Sequence, residues 1–284
     1  MRPRKGRAVD NAHRTAPTPV SQTGVKLSVQ HLSHSFGSFR ALQDVNLDIR
    51  HGEFVCILGA SGCGKSTLFN AVSGLLKITE GRILLDGRDI AGRPGEVGYM
   101  LQKDLLLPWR TVLGNITLGA SLTHGATRED RAKAAELARR YGLGDFLRHF
   151  PRALSGGMRQ RVALMRTIAA GREVMLLDEP FGALDSQTRI GMQQWLLQVW
   201  KELSRTVMFV THDVDEAIFL ADRIVLMQPR PGRIAKILQV EIPRPRAMDV
   251  LTSPVFVETK RQIMDMLYSE KTLHGVPAAA ELPA

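Results

Sequence analysis

The chain has 284 residues, 44% of them apolar and 23% charged, and a net charge of +10. That is enough chain for one large globular domain or two small ones, and it holds no apolar run of about 18 residues of the kind a transmembrane helix needs. Two cysteines, Cys56 and Cys63, are too few for a disulfide framework or a metal cluster, and no apolar signal-type stretch opens the chain, so a reducing, cytoplasmic setting is expected.

Residues 1–26 carry Arg2, Arg4, Lys5, Arg7, Arg14 and Lys26 against Asp10, so half of the net charge sits in this tail. It reads as a solvated extension. Attraction to an anionic membrane surface is a second reading, and no groove-reading element beside it favours nucleic acid. From 27 to 58 the pattern is β-rich: Leu27–Leu32 and Ala41–Ile49 alternate around a Gly37-Ser38 turn. Phe36, just before that turn, is either a core aromatic or a platform on which a nucleotide base stacks.

Phe54-Val55-Cys56-Ile57-Leu58 is a buried-strand run, and Leu68–Val72 continues as a helix. Between them, Gly59-Ala60-Ser61-Gly62-Cys63-Gly64-Lys65-Ser66-Thr67 fits G-x-x-x-x-G-K-[ST]. A strand–loop–helix of this composition converges backbone N–H groups on a phosphate at a helix N-terminus. Lys65 is expected to reach the β- and γ-phosphates of a nucleotide and Ser66 to ligate Mg²⁺. Cys63, beside a helix N-terminus, is expected to have a lowered thiol pKa and to be shielded from alkylation by bound nucleotide.

Ile83-Leu84-Leu85 is a further strand with an Asp86-Gly87 turn, and Val97–Leu101 is a strand that ends on Gln102, placed to touch Mg²⁺ or an attacking water. From about 103 to 170 the character is helical. Thr111 is a candidate cap, Arg128–Tyr141 is a charged helix closed by Gly142, and Ser155 caps a helix that Gly171 stops. The cluster Leu105-Leu106-Leu107-Pro108-Trp109 suits either internal packing or an exposed docking patch. Leu154-Ser155-Gly156-Gly157-Met158 leaves a bare helix N-terminus, a second phosphate-grade site, which suggests a nucleotide shared between two copies of the chain.

Val174–Leu177 is an apolar strand ending in Asp178 and Glu179. Adjacent carboxylates there suit a Mg²⁺ ligand and a group that orients or deprotonates water. Gly182–Asp185 reads as a tight turn, Ile190–Leu203 as a helix, and Val207–Val210 as a strand ending before His212, within reach of a γ-phosphate. A short helix at Asp215–Leu220, strands at Ile224–Met227 and near 234–240, one amphipathic helix at 254–268 and a frayed end from Val276 complete the reading.

Six separated motifs in this order resemble the ATP-binding cassette (ABC) ATPases over about residues 27–241. The resemblance implies an α/β fold, a P-loop NTPase core with an antiparallel β subdomain and an inserted α-helical signature subdomain at about 103–170. It divides the chain into a basic tail (1–26), an ATPase domain (27–243) and a C-terminal extension with one short helix (244–284). Phe36 then matches the base-stacking aromatic, Gly59–Thr67 the Walker A loop, Gln102 the Q-loop glutamine and Leu154–Met158 the signature. Asp178 matches the Walker B aspartate, Glu179 the catalytic glutamate, Asp185 the D-loop and His212 the H-loop. Met158 departs from the Gln that many members carry. The family implies a homodimer sandwiching two ATP with Mg²⁺, with Ser155, Gly156 and Gly157 of one chain facing the Walker A loop of the other.

The 100–116 segment, L-L-P-W-R-T-V-x-x-N-I included, resembles the ATPases of nitrate, sulfonate and taurine importers, which implies uptake of a small solute of that kind or of a vitamin-precursor type. These sit on the cytoplasmic face of the inner membrane, bound to permease subunits and served by a solute-binding protein; a nucleic-acid partner is not expected. An exporter ATPase and a non-transport ABC ATPase acting on DNA or ribosomes are the alternatives. A small-molecule kinase would leave L-S-G-G and His212 without a role.

Overall fold

The computed structural model describes residues 24–229 and 231–273, the side chains of 268–273 apart. Most of the basic tail and the Ala- and Pro-bearing end lie outside these residues. Strands β1 (Val25–Phe36) and β2 (Phe39–Arg50) form the hairpin turned at Gly37. β3 (Phe54–Gly59) runs into the phosphate-loop motif. β4 (Glu80–Leu85) pairs with β1, and the short β5 (Arg88–Asp89) with β4, giving an antiparallel sheet ordered β2-β1-β4-β5.

The second sheet adds β6 (Gly98–Met100), β7 (Val174–Asp178), β8 (Thr206–Thr211), β9 (Arg223–Gln228) and β10 (Arg233–Gln239). Its order is β10-β9-β3-β8-β7-β6, parallel except for the edge strand β10. Residues of β3 serve two cores. Val55 and Ile57 belong to the core shared with the antiparallel sheet, and Phe54, Cys56 and Leu58 to the core under the helices. A strand buried on both faces must be apolar throughout, which is why this run does not alternate.

Helix α1 (Lys65–Val72) follows the phosphate loop. Between β6 and β7 lie α2 (Val112–Ile116), α3 (Leu118–Thr123), α4 (Arg128–Arg140) and α5 (Gly156–Ala169). The starts of α2, α4 and α5 are set by side-chain caps. The Thr111 hydroxyl accepts from the Gly114 N–H, Thr127 and Asp130 form a reciprocal capping box, and the Ser155 hydroxyl accepts from the Met158 N–H. α6 (Ser186–Leu203) begins four residues before the Ile190 expected from apolar spacing. Its first turn is polar, so periodicity misses it; the start is set by Asp185, whose carboxylate accepts from the Thr188 N–H at 2.9 Å. α7 (Val214–Leu220) is capped by Asp213.

The C-terminal segment is tied to the core by two arginines. Arg246 is buried and donates to the carbonyls of Ile218, Phe219 and Ala221, the free end of α7, and to that of Ile242. Burial pulls its guanidinium down to about 10, so it stays charged at neutral pH. Arg244 pairs with Asp222 at 2.8 Å and lies over the Trp200 ring at 4.3 Å. Beyond them, α8 (Pro254–Leu273) runs 20 residues, a longer helix than the 254–268 expected, and buries Phe256 and Ile263. Among the described residues no helix is long and apolar enough to cross a membrane.

Arg246→Ala would leave three helix-end carbonyls without their donor. We expect a loss of about 3 kcal/mol in urea unfolding, against little change in midpoint for Arg261→Ala on the exposed face of α8. Equal midpoints for the two variants would contradict this account.

Candidate functional site

Parallel strands β3, β7 and β8 end side by side, and their loops form one polar edge. The phosphate loop turns through Gly62 and Gly64 at positive φ, Gly64 capping α1 at φ +96°. A Cβ on Gly59 would lie 2.5 Å from the Met227 carbonyl oxygen of β9, and one on Gly64 2.7 Å from Leu42 of β2. Gly59 is thus demanded by close approach of backbone, and Gly64 by its positive φ. Lys65 is buried at the loop's centre, its ammonium donating to the carbonyls of Gly59 at 2.7 Å and Ala60 at 3.1 Å.

Asp178 ends β7, is buried, and bonds the Ser66 hydroxyl and Tyr99 Oη, the latter at 3.4 Å. Burial first, then the Glu179 charge, raises its carboxyl pKa. Burial and the Asp178 charge likewise push the Tyr99 phenol up. Glu179 turns out of the strand at φ +44°, a conformation that a non-glycine residue adopts at a cost. Its Oε2 accepts from Gln102 Nε2 at 3.1 Å and lies 3.4 Å from His212 Nδ1. His212 is 66% exposed, so its imidazole is open to a ligand.

Lys65, Ser66, Asp178, Glu179, Gln102 and His212 therefore form one connected cluster, as their placement at strand ends leads one to expect. Ser155, Gly156 and Gly157 make no hydrogen bond to it among the described residues; they open α5, Ser155 spending its hydroxyl on the cap. Phe36 is 52% exposed, its ring edge-on to His34, which makes it a surface aromatic and not a core one. Tyr99 is the residue that sequence reasoning missed. Its only signal was its place next to the last residue of β6.

Cys63 requires a correction. Its side chain is fully buried, and burial pushes its thiol pKa up, although the Lys65 ammonium 3.8 Å away opposes this. The helix N-terminus does not produce an activated thiolate. Gly59 ends β3, Ala60, Ser61, Gly62 and Gly64 form the loop that follows, and Thr67 lies in the first turn of α1. Beside the stem of the loop, Gly59, Ala60, His212, Met264 and Leu267 line a cavity of about 460 Å³, so α8 reaches the site as well.

The donor set fits a hard cation. Among the described residues no group of three or more His, Cys, Asp or Glu side chains could hold a metal ion by itself. Ser66 and Asp178 instead offer two adjacent oxygens beside a phosphate loop, which suits Mg²⁺ completed by phosphate and water.

The family model described as ABC transporter matches residues 42–182. The chain is similar to the taurine import ATP-binding protein of Rhizobium johnstonii, 42% identical over 259 residues, covering 88% of this chain and 99% of that protein. It is 42% identical over 250 residues to the aliphatic sulfonates import ATP-binding protein of Bacillus licheniformis, covering 87% and 96%. A dimeric ATP-binding cassette in a post-hydrolysis state, bound to ADP and Pi, superposes with a TM-score of 0.65 at 30% identity, covering 76% of this chain and all of that one.

Two measurements check the electrostatics. Because the Asp178 pKa is raised, the native state binds more protons than the unfolded state just above the usual carboxylate range, and stability falls as pH rises through that interval. Asp178→Asn removes that loss, so thermal unfolding at pH 7 should show a gain of about 1 kcal/mol; a lower Tm would overturn it. Cys63 should react with iodoacetamide at pH 8 on the order of 100-fold more slowly in the native chain than in urea, with or without nucleotide. Rapid native labelling would restore the activated thiolate.

Proposed function

The chain belongs to the ABC transporter family, and we propose that it is the ATP-hydrolysing subunit of a multi-subunit importer, acting as a homodimer on the cytoplasmic face of the cell membrane. The solute is small and of the sulfonate or taurine kind, a reading supported by the two import relatives. The observation that carries the hydrolytic assignment is the convergence of Gln102 and His212 on the Glu179 carboxylate, one residue from the buried Asp178 that bonds the exposed Ser66.

In this reading the loop amides of Gly59–Thr67 and the Lys65 ammonium take the phosphate charge, and Phe36 stacks on the base. Lys65 exchanges its loop carbonyls for phosphate oxygens at little reorganisation cost, because its ammonium is already held at the loop's centre. Ser66, Asp178 and Gln102 would hold Mg²⁺, which would supply neutralisation of phosphate charge. Glu179 aligns the attacking water and takes its proton, and His212 donates to the γ-phosphate. Catalysis of this kind is positioning and electrostatics. The bare N-terminus of α5, with Ser155, Gly156 and Gly157, faces the nucleotide of the partner copy. That it makes no hydrogen bond to its own chain's cluster among the described residues supports this reading. ATP binding closes the pair, and hydrolysis reopens it.

Leu105 and Trp109, 50% and 70% exposed, form the patch that a permease subunit covers. The permease and a solute-binding protein select the solute.

Glu179→Gln should keep ATP affinity and lose turnover by about 100-fold or more, and Lys65→Ala should weaken nucleotide binding; normal turnover in the first or unchanged affinity in the second would remove that residue from its role. Tagged Glu179→Gln with ATP should capture a multi-spanning permease from detergent-solubilised membranes of the native cell. Capture of ribosomal or DNA-repair components in its place would overturn the importer.

A further inference from the structure

The cluster around Glu179 leaves one set of polar groups unused. α6 and the start of α7 face each other behind His212, and hydrogen bonds cross between them. Arg189 of α6 donates through Nη2 to the Leu184 carbonyl at 2.9 Å and through Nη1 to the Asp213 carboxylate at 3.4 Å. The Asp213 carboxylate also accepts from the Glu216 N–H at 3.1 Å, and the Asp213 N–H donates to the Thr211 hydroxyl at 3.0 Å. The buried Glu216 carboxylate accepts from Gln193 of α6 at 3.1 Å and from the Thr211 hydroxyl. Burial raises its pKa, so the fold bears a cost here.

The ends of this bridge matter because of their neighbours. Leu184 belongs to the turn that starts at Glu179, whose carbonyl accepts from the Gly182 N–H at 3.2 Å. Asp213 follows His212, and His212 Nδ1 lies 3.4 Å from Glu179 Oε2. Glu179, Arg189, His212 and Glu216 line a common cavity of about 10 Å³, on the order of one water molecule.

We propose that Arg189 is a positioning residue for hydrolysis: by spanning Leu184 and Asp213 it holds the 179–185 turn and His212 in one fixed relation, with the imidazole facing the Glu179 carboxylate. Helix capping does not require it. Asp185 caps α6 and Asp213 caps α7 with their own carboxylates, and both caps are complete without the guanidinium. What Arg189 adds is a rigid planar fork between two loops, a span that a single ammonium nitrogen reproduces only in part. The Gln193–Glu216–Thr211 link keeps the Asp213 end from swinging away. This proposal rests on the reading of Glu179 and His212 as the hydrolytic pair.

The test is a double-mutant cycle on the full chain. Arg189→Ala and Arg189→Lys are made with His212 present and in the His212→Ala background, and single-turnover and steady-state ATP hydrolysis are measured, with affinity for a fluorescent ATP analogue as the check on folding. With His212 present, Arg189→Ala should lower kcat about tenfold, with KM and affinity changed less than about twofold, and Arg189→Lys should recover part of the loss. In the His212→Ala background the same substitution should cost less than about twofold, because the residue acts through the imidazole. Equal losses in both backgrounds, or an unchanged kcat with His212 present, overturn the proposal; if Arg189→Ala fails to bind the analogue, Arg189→Lys carries the same cycle. A parent chain that binds ATP and hydrolyses none, alone or with its permease, overturns the hydrolytic reading and this proposal with it.

Discussion

The site depends on the register of a parallel ladder. Leu58 pairs with Thr211 across β3 and β8, Asp178 pairs with Val210 across β7 and β8, and the Glu179 N–H continues that ladder onto the Val210 carbonyl at 2.9 Å. Three strands therefore stop at the same level, and the loops that leave them emerge at the same edge. A slip of one residue in β7 would exchange the faces of Asp178 and Glu179. The buried oxygen beside Ser66 and the open one beside Gln102 and His212 would then be interchanged. The left-handed backbone at Glu179 belongs to the same constraint, because the chain must leave the ladder sharply for that side chain to turn towards β6 and β8.

Much of this was legible in the sequence, for a physical reason. A strand buried on both faces is an unbroken apolar run, and a loop that must approach β9 and β2 closely is written in glycine. Strand ends and glycines are local signals, so the phosphate loop, Gln102, Asp178, Glu179 and His212 could be placed from spacing alone. The caps at Thr111 and Ser155 were legible for the same reason. The failures share a different cause. Cys63 was assigned by its neighbourhood along the chain, where a helix N-terminus contributes about 1 kcal/mol or less. Its environment is instead set by Leu42 and the rest of the core it joins across the chain, where desolvation outweighs that dipole. α6 began early because a single carboxylate, not an apolar face, starts it.

The C-terminal extension illustrates the same limit from the other side. Nothing in Pro243-Arg244-Pro245-Arg246 announces that one arginine will cap a helix about 25 positions earlier in the chain and the other will stack on Trp200. Both contacts exist because α7 ends with free carbonyls, and α6 ends beside Asp222, at a place the returning chain must pass. Once pinned there, the chain carries α8 across α7, where Lys260 pairs with Asp215 at 2.8 Å and Met264 and Leu267 reach the cavity beside Gly59 and His212. The extension thereby walls the cavity beside the phosphate-loop motif and is packed onto the core.

The apolar run at 105–109 allowed two readings in the sequence, packing or docking, and the fold shows how the packing is achieved. Asn115 carries it. This fully buried side chain donates to the carbonyls of Leu107, Arg110 and Thr111 and accepts from the Leu107 N–H, giving the loop a scaffold of its own. Leu106 is turned inward, while Leu105, at φ +43°, and Trp109 are turned out. The base of the same loop is fastened to α5. Arg159 pairs with Asp104 at 3.1 Å, and Arg166 donates to the carbonyls of Asp104 and Leu105 at 2.7 and 2.8 Å. α5 is the helix whose N-terminus carries Ser155, Gly156 and Gly157. The loop is thereby held both by Asn115 from within and by two arginines of α5 from below. The exposed Leu105 and Trp109 and the helix that Ser155 opens thus lie on elements hydrogen-bonded to each other, and neither can shift without straining those bonds.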